Sequence, residues 1–125
     1  MSNIDVVREL WAKFSRGEYV QAKALLHENL RVVWPTSREY YETRDEYIAV
    51  NEVFGADWKF EVLSLEETTT NKVISVTYVS SPHCDDSFYA TSILSLENGI
   101  ITNMDTYWAF QDKQPEWRKQ LSKVY

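Results

Sequence analysis

Residues 87–110, SFYATSILSLENGIITNMDTYWAF, constrain the fold more than any other stretch of the chain. Two alternating runs flank Asn98-Gly99. Both central positions of a type I′ turn need positive φ, which Asn and Gly tolerate, so the two runs must fold back on each other as an antiparallel hairpin. Upstream, DWKFEVLSLEE (57–67) has the same period of two, with Trp58, Phe60 and Val62 on one side and Lys59 and Glu61 on the other. KVISVTYVS (72–80) is a further strand, joined to the hairpin by the polar loop SPHCDD. Its register leaves either Ser75 and Thr77 or Val76 and Tyr78 facing inward, and we favour the polar pair on the ligand side. The C-terminal half is thus a meander of about four strands, and one face of such a sheet needs a cover.

The N-terminal half supplies it. SNIDVVRELWAKFSRG reads as a helix, with Ser2 or Asn3 as cap, Asp5 in the first turn and Gly17 at the end. Val7, Leu10, Trp11 and Phe14 recur at helical spacing. EYVQAKALL predicts a second, short helix with Ala22, Leu25 and Leu26 inward. LRVVW (30–34) is a short strand stopped by Pro35, and PTSREYYE is irregular. TRDEYIAVNEVFG opens with Thr43 and Glu46 at capping-box spacing and closes at Gly55. PEWRKQLSKVY predicts a terminal helix with Pro115 in its first turn. The expected fold is α+β, one domain over residues 1–125: a strongly curved, cone-shaped, mixed or antiparallel sheet, covered by three N-terminal helices, with a pocket at its open end.

Composition narrows the function classes. A chain of 125 residues fits a single core. A net charge of −6 without a long basic run argues against nucleic acid and against anionic membranes. No apolar run approaches the roughly 18 residues that span a bilayer. The N-terminus lacks a basic-then-apolar leader, and one cysteine, Cys84, forms no internal disulfide, so the cytoplasm is the expected location. The 5 Trp, 8 Tyr and 5 Phe suit either an aromatic core or a cavity wall that is apolar on one side and polar on the other. No cofactor or metal is expected. His83, Cys84, Asp85 and Asp86 sit at a hairpin tip and diverge, without a second ligand group elsewhere. His27 reads as a helix-end residue bonded to the last carbonyls.

Alternation sorts the last strand. Met104, Thr106, Trp108 and Phe110 share the core-facing side, while Asn103, Asp105, Tyr107 and Ala109 share the other. Asp105 is the one candidate for acid–base catalysis there, and it needs a bulge to turn it inward. The candidate ligand wall comprises Trp34, Trp58, Phe88, Met104, Thr106 and Trp108. Tyr40 and Tyr41 lie in the segment before the third helix, and the Tyr40 hydroxyl is a candidate for holding a polar group of the ligand.

Four pieces carry a resemblance: ALLHENLRVVWP (24–35), the T-R-D-E-Y helix opening, LENGIITNMDTYW, and the pair Tyr107-Trp108. In this order they resemble the nuclear-transport-factor-2-like superfamily, particularly its SnoaL-like, polyketide-cyclase-like members. The resemblance implies a pocket for a small apolar or aromatic molecule and proton-transfer chemistry of isomerase, cyclase or dehydratase type. It also implies a non-catalytic alternative, a homodimeric module paired through the outer sheet face, where Tyr89, Thr91, Ile93 and Tyr107 would lie. In epoxide hydrolases of this fold a catalytic carboxylate stands directly before the aromatic pair. Here that position is Thr106, which cannot act as a general acid or base near neutral pH.

Overall fold

The computed structural model describes residues Met1–Tyr125. Helix α1 (Asn3–Ser15) begins at a capping box: Asp5 N donates to Ser2 Oγ at 3.2 Å, and Ser2 N donates to the Asp5 carboxylate at 3.3 Å. Val6, Val7, Leu10, Trp11 and Phe14 form its buried stripe. Helix α2 (Arg44–Phe54) is capped by Thr43, whose Oγ1 accepts from Glu46 N. The strands are β1 (Leu26–Trp34), β2 (Glu39–Tyr41), β3 (Lys59–Glu67), β4 (Lys72–Ser81), β5 (Cys84–Glu97) and β6 (Ile100–Phe110). Asn98 and Gly99 have φ of 52° and 76°, as the type I′ turn requires.

The strands form one six-stranded sheet in the order β2-β1-β6-β5-β4-β3. All neighbours run antiparallel except β1 and β6, which are parallel. Register shifts interrupt the β1–β6, β3–β4, β4–β5 and β5–β6 pairings, and such bulges bend and twist a sheet. Both helices lie on one face, α1 over β3 and β4, and α2 over β1 and β2. Twenty-one buried apolar side chains form one continuous cluster between the layers, which makes a single core. Trp11 ties the layers together. Its ring stacks on Phe60 at 5.7 Å and its Nε1 donates to Ser75 Oγ at 3.2 Å. Ser75 and Thr77 therefore do face inward, but both are fully buried. Gly17 has φ +70°, and a Cβ there would meet the Ala56 Cβ at 2.9 Å, so α1 can end against the α2–β3 link only through glycine. No helix is long and apolar enough to cross a membrane.

Three elements differ from the sequence reading. EYVQAKALL forms a 3-10 turn over Gln21–Leu25, and Leu26 already belongs to β1, paired with Ile101. Two α-helices rather than three therefore cover the sheet. Sheet pairing and burial of Tyr19, Ala22 and Leu26 outweigh helical propensity in so short a segment. His27 consequently sits in a strand, its Nδ1 accepting from Asn29 N at 3.0 Å. PEWRKQLSKVY forms only a 3-10 turn, Glu116–Arg118, with Trp117 and Leu121 exposed. An isolated segment of this length has too little packing to stay helical. PTSREYYE is less irregular than expected: its second half is β2, an edge strand.

Candidate functional site

The inner face of β5 and β6 changes character along its length. Leu94 pairs with Met104, Ser92 with Thr106, Ala90 with Trp108 and Phe88 with Phe110. The first two pairs are buried, and Phe110 is largely exposed. Between these ends the sheet leaves the core and enters a cavity of about 390 Å³. That volume lies within the range of small-molecule sites. Trp34, Thr36, Ser37 and Glu39 line it from β1, β2 and their connection. Val50, Asn51, Val53 and Phe54 line it from α2, and Phe88, Trp108 and Phe110 from β5 and β6.

Local structure explains each placement. Pro35 stops β1 and starts a four-residue reversal closed by Arg38 N donating to Pro35 O. Arg38 adopts φ 59°, returning the chain so that Glu39 stands opposite Trp34. Strand alternation then turns Glu39 and Tyr41 to the inner side. On α2, Tyr47, Ile48 and Asn51 are buried, and the last turns of the same helix reach the cavity. Asn51 Nδ2 donates to the Tyr47 carbonyl at 2.8 Å.

The aromatic wall is a set of inclined rings rather than one flat plate. Trp34 meets Trp108 at 5.8 Å and 79°, and Phe88 meets Trp108 at 5.9 Å and 87°. Phe88 meets Phe110 at 5.0 Å and 60°. Tyr41 supports Trp34 from behind at 4.9 Å. The Nε1 atoms of Trp34 and Trp108 are enclosed and have no hydrogen-bond partner. Being closed off, they present no donor to the cavity, and both residues meet it with ring carbon.

The sequence-derived candidates separate by depth. Trp34, Phe88 and Trp108 come together on the cavity wall. Met104 and Thr106 face the same way but are sealed in the core, 0% and 3% exposed. Thr106 shares a 2.9 Å hydrogen bond with Ser92 Oγ, so the position of the expected carboxylate holds a buried hydroxyl pair. Trp58 lies one layer behind, stacked on Phe54 at 4.2 Å, with its Nε1 donating to Phe54 O. Tyr40 lies on the outer face beneath Arg31, whose guanidinium is 4.9 Å from the ring centroid. Asp105 is exposed on that outer face. It pairs regularly with Ile93, and the β5–β6 register shift lies elsewhere, between Ser95 and Leu96, so no bulge turns it inward. His83 lies at an exposed hairpin tip, 3.6 Å from Asp57, and Cys84 is exposed. No three His, Cys, Asp or Glu side chains converge anywhere in the chain.

Reasoning from sequence missed most of the lining from β2, α2 and the β1–β2 connection, Glu39, Asn51 and Phe54 among it. Asn51 carried a signal, a polar side chain on the apolar stripe of a helix. Glu39 carried none, because the segment before α2 showed no readable period. The tyrosines around the site do not supply a base. Burial pushes the Tyr19 hydroxyl up to about 12 and raises that of Tyr47 further. Burial, and then the negative charge of Glu39, raise Tyr41. All three stay protonated at neutral pH and do not act as bases there. Glu39 is therefore the one ionisable side chain among the lining residues.

No family model and no curated protein matches this sequence. Solved structures do. A protein from Kribbella flavida, provisionally described as a ketosteroid isomerase, superposes with a TM-score of 0.83 at 18% identity, covering 98% of this chain and 89% of that one. A nuclear-transport-factor-2-like protein of unknown function from Burkholderia xenovorans gives 0.80 at 20% identity, covering 98% and 95%. An LEH-like epoxide hydrolase from M. tuberculosis gives 0.70 at 12% identity, covering 86% and 82%. Likeness at this identity speaks to architecture, and on that ground the chain has the nuclear-transport-factor-2-like fold that its sequence resembles.

Proposed function

We propose that this chain binds a small, apolar, ring-containing molecule in the cavity between the sheet and α2. The carrying observation is a 390 Å³ cavity whose wall is built from Trp34, Phe54, Phe88, Trp108 and Phe110. Such a wall removes apolar surface from water at roughly 25 cal/mol per Å² and offers few polar groups that would need satisfying. Proton-transfer chemistry of isomerase, cyclase or dehydratase type fits a site of this kind, and similar structures include proteins described as an isomerase and an epoxide hydrolase. In this chain such a step would run through Glu39, since Asp105 lies outside and Thr106 is sealed.

The test is ligand binding by Trp34→Ala and Trp108→Ala proteins shown to be folded by circular dichroism. Both should lose about tenfold or more in affinity for the cyclic ketones and epoxides that bind the wild type. Folded variants that bind every such compound as well as wild type would overturn the proposal. Glu39→Gln should keep binding neutral compounds while losing turnover.

A second reading rests on the outer face. Tyr78 and Tyr89 contact each other there at 5.1 Å, and Tyr107 is 46% exposed. These side chains suit a homodimer contact, with or without catalysis. Sedimentation at high micromolar concentration decides it, and a monomer there rules it out.

A further inference from the structure

We propose that the cavity takes an organic cation, a tertiary or quaternary ammonium group carried on a small apolar body. This rests on the pocket reading above and names the class of ligand. Three observations carry it.

The first is the wall. Trp34, Phe88, Trp108 and Phe110 cross one another at 60–87°, so a guest meets π surface from several directions. A flat neutral ring stacks best on one plate, whereas a compact ammonium group is attracted to each ring face it approaches, most strongly to Trp. The second is charge. Glu39 is the only charged residue of the lining, which contains no Lys, Arg or His. Glu39 forms no ion pair within the chain. A carboxylate without a counter-ion thus stands at the mouth of an aromatic cavity, in a chain of net charge −6 that draws cations from solution. The third is the shortage of donors. The two indole N–H groups of the wall are closed off from the cavity. A carboxylate or phosphate guest would lose its hydration and find only Thr36 and Ser37 at the rim, and the buried Asn51, whose Nδ2 already donates to the Tyr47 carbonyl, to replace it. An alkylated ammonium asks for no acceptor geometry and keeps its charge opposite Glu39.

The experiment is a titration of the full chain followed by tryptophan fluorescence. The probes are benzyltrimethylammonium and its uncharged carbon isostere, neopentylbenzene, which have nearly the same shape. The cation should bind about tenfold tighter than the isostere at low salt. Glu39→Gln should weaken the cation roughly three- to tenfold and leave the isostere unchanged. Glu39 is exposed, so this variant should fold as wild type does. If the isostere binds as tightly as the cation, the ligand-class inference falls and the pocket reading stands. If neither probe binds, and the cyclic ketones and epoxides do not bind either, both fall.

Discussion

The two ends of the β5–β6 inner face share strands, alternation and residue classes, yet one end is core and the other is cavity. Leu94 and Met104 are wholly enclosed, while Phe88 and Trp108, four or six residues along the same two strands, face open space. The difference lies in what covers them. Leu94 and Met104 belong to the continuous buried cluster that includes side chains of both helices, whereas Phe88 and Trp108 only pack against that cluster, beside the last turns of α2, where Val53 and Phe54 are exposed. Facing inward and lining a site are therefore separate properties. Period-two alternation reports the first, and position along the strand decides the second.

Substitutions at successive depths should trace that boundary. Met104→Ala should cost about 2–5 kcal/mol, because a fully enclosed side chain is lost and its neighbours cannot collapse into the space. Denaturant unfolding measures it, and a loss below about 1 kcal/mol would mean that this end is looser than its burial implies. At the next step outward, Thr106→Val should cost about 1–3 kcal/mol by stranding the Ser92 hydroxyl. Adding Ser92→Ala should recover much of that loss, since an apolar pair of similar shape leaves no group unpaired. At the rim, Phe110→Ser should change stability by no more than about 0.5 kcal/mol, as Phe110 is 71% exposed, while weakening ligand binding measurably. A stability loss at Phe110 as large as that at Met104 would erase the distinction between the two ends.

The same boundary explains what the sequence made legible. The Asn98-Gly99 turn, both helix caps and the inward set of β6 were readable because each follows from local geometry within a few residues. Alternation alone points Asp105 to the outer face, where it is exposed, and its candidacy as an acid or base depends on a bulge that β6 does not have at that position. Met104 and Thr106 were grouped with Trp108 because they share a face, and nothing local reports how far the helix cover extends. Glu39 was hidden by the αL conformation of Arg38, a residue that gives no turn signal of the kind glycine gives. The short segments 18–26 and 115–125 carried helical spacing but lacked the length, or the packing surface, to realise it.

The parallel pairing of β1 with β6 has a consequence for the order in which the molecule comes together. β3 through β6 are linked by short reversals, and each can find its neighbour soon after it is made. Residues 26–34 instead take their place beside residues 101–105, so their main-chain groups on that side wait for a partner some seventy positions downstream. During synthesis the ribosome must release residues up to about position 105 before that edge is covered. Until then β1 and the apolar Leu30, Val32 and Trp34 are open to other chains. The strand that carries Trp34 to the cavity is made before β3 to β6 and secured only after them.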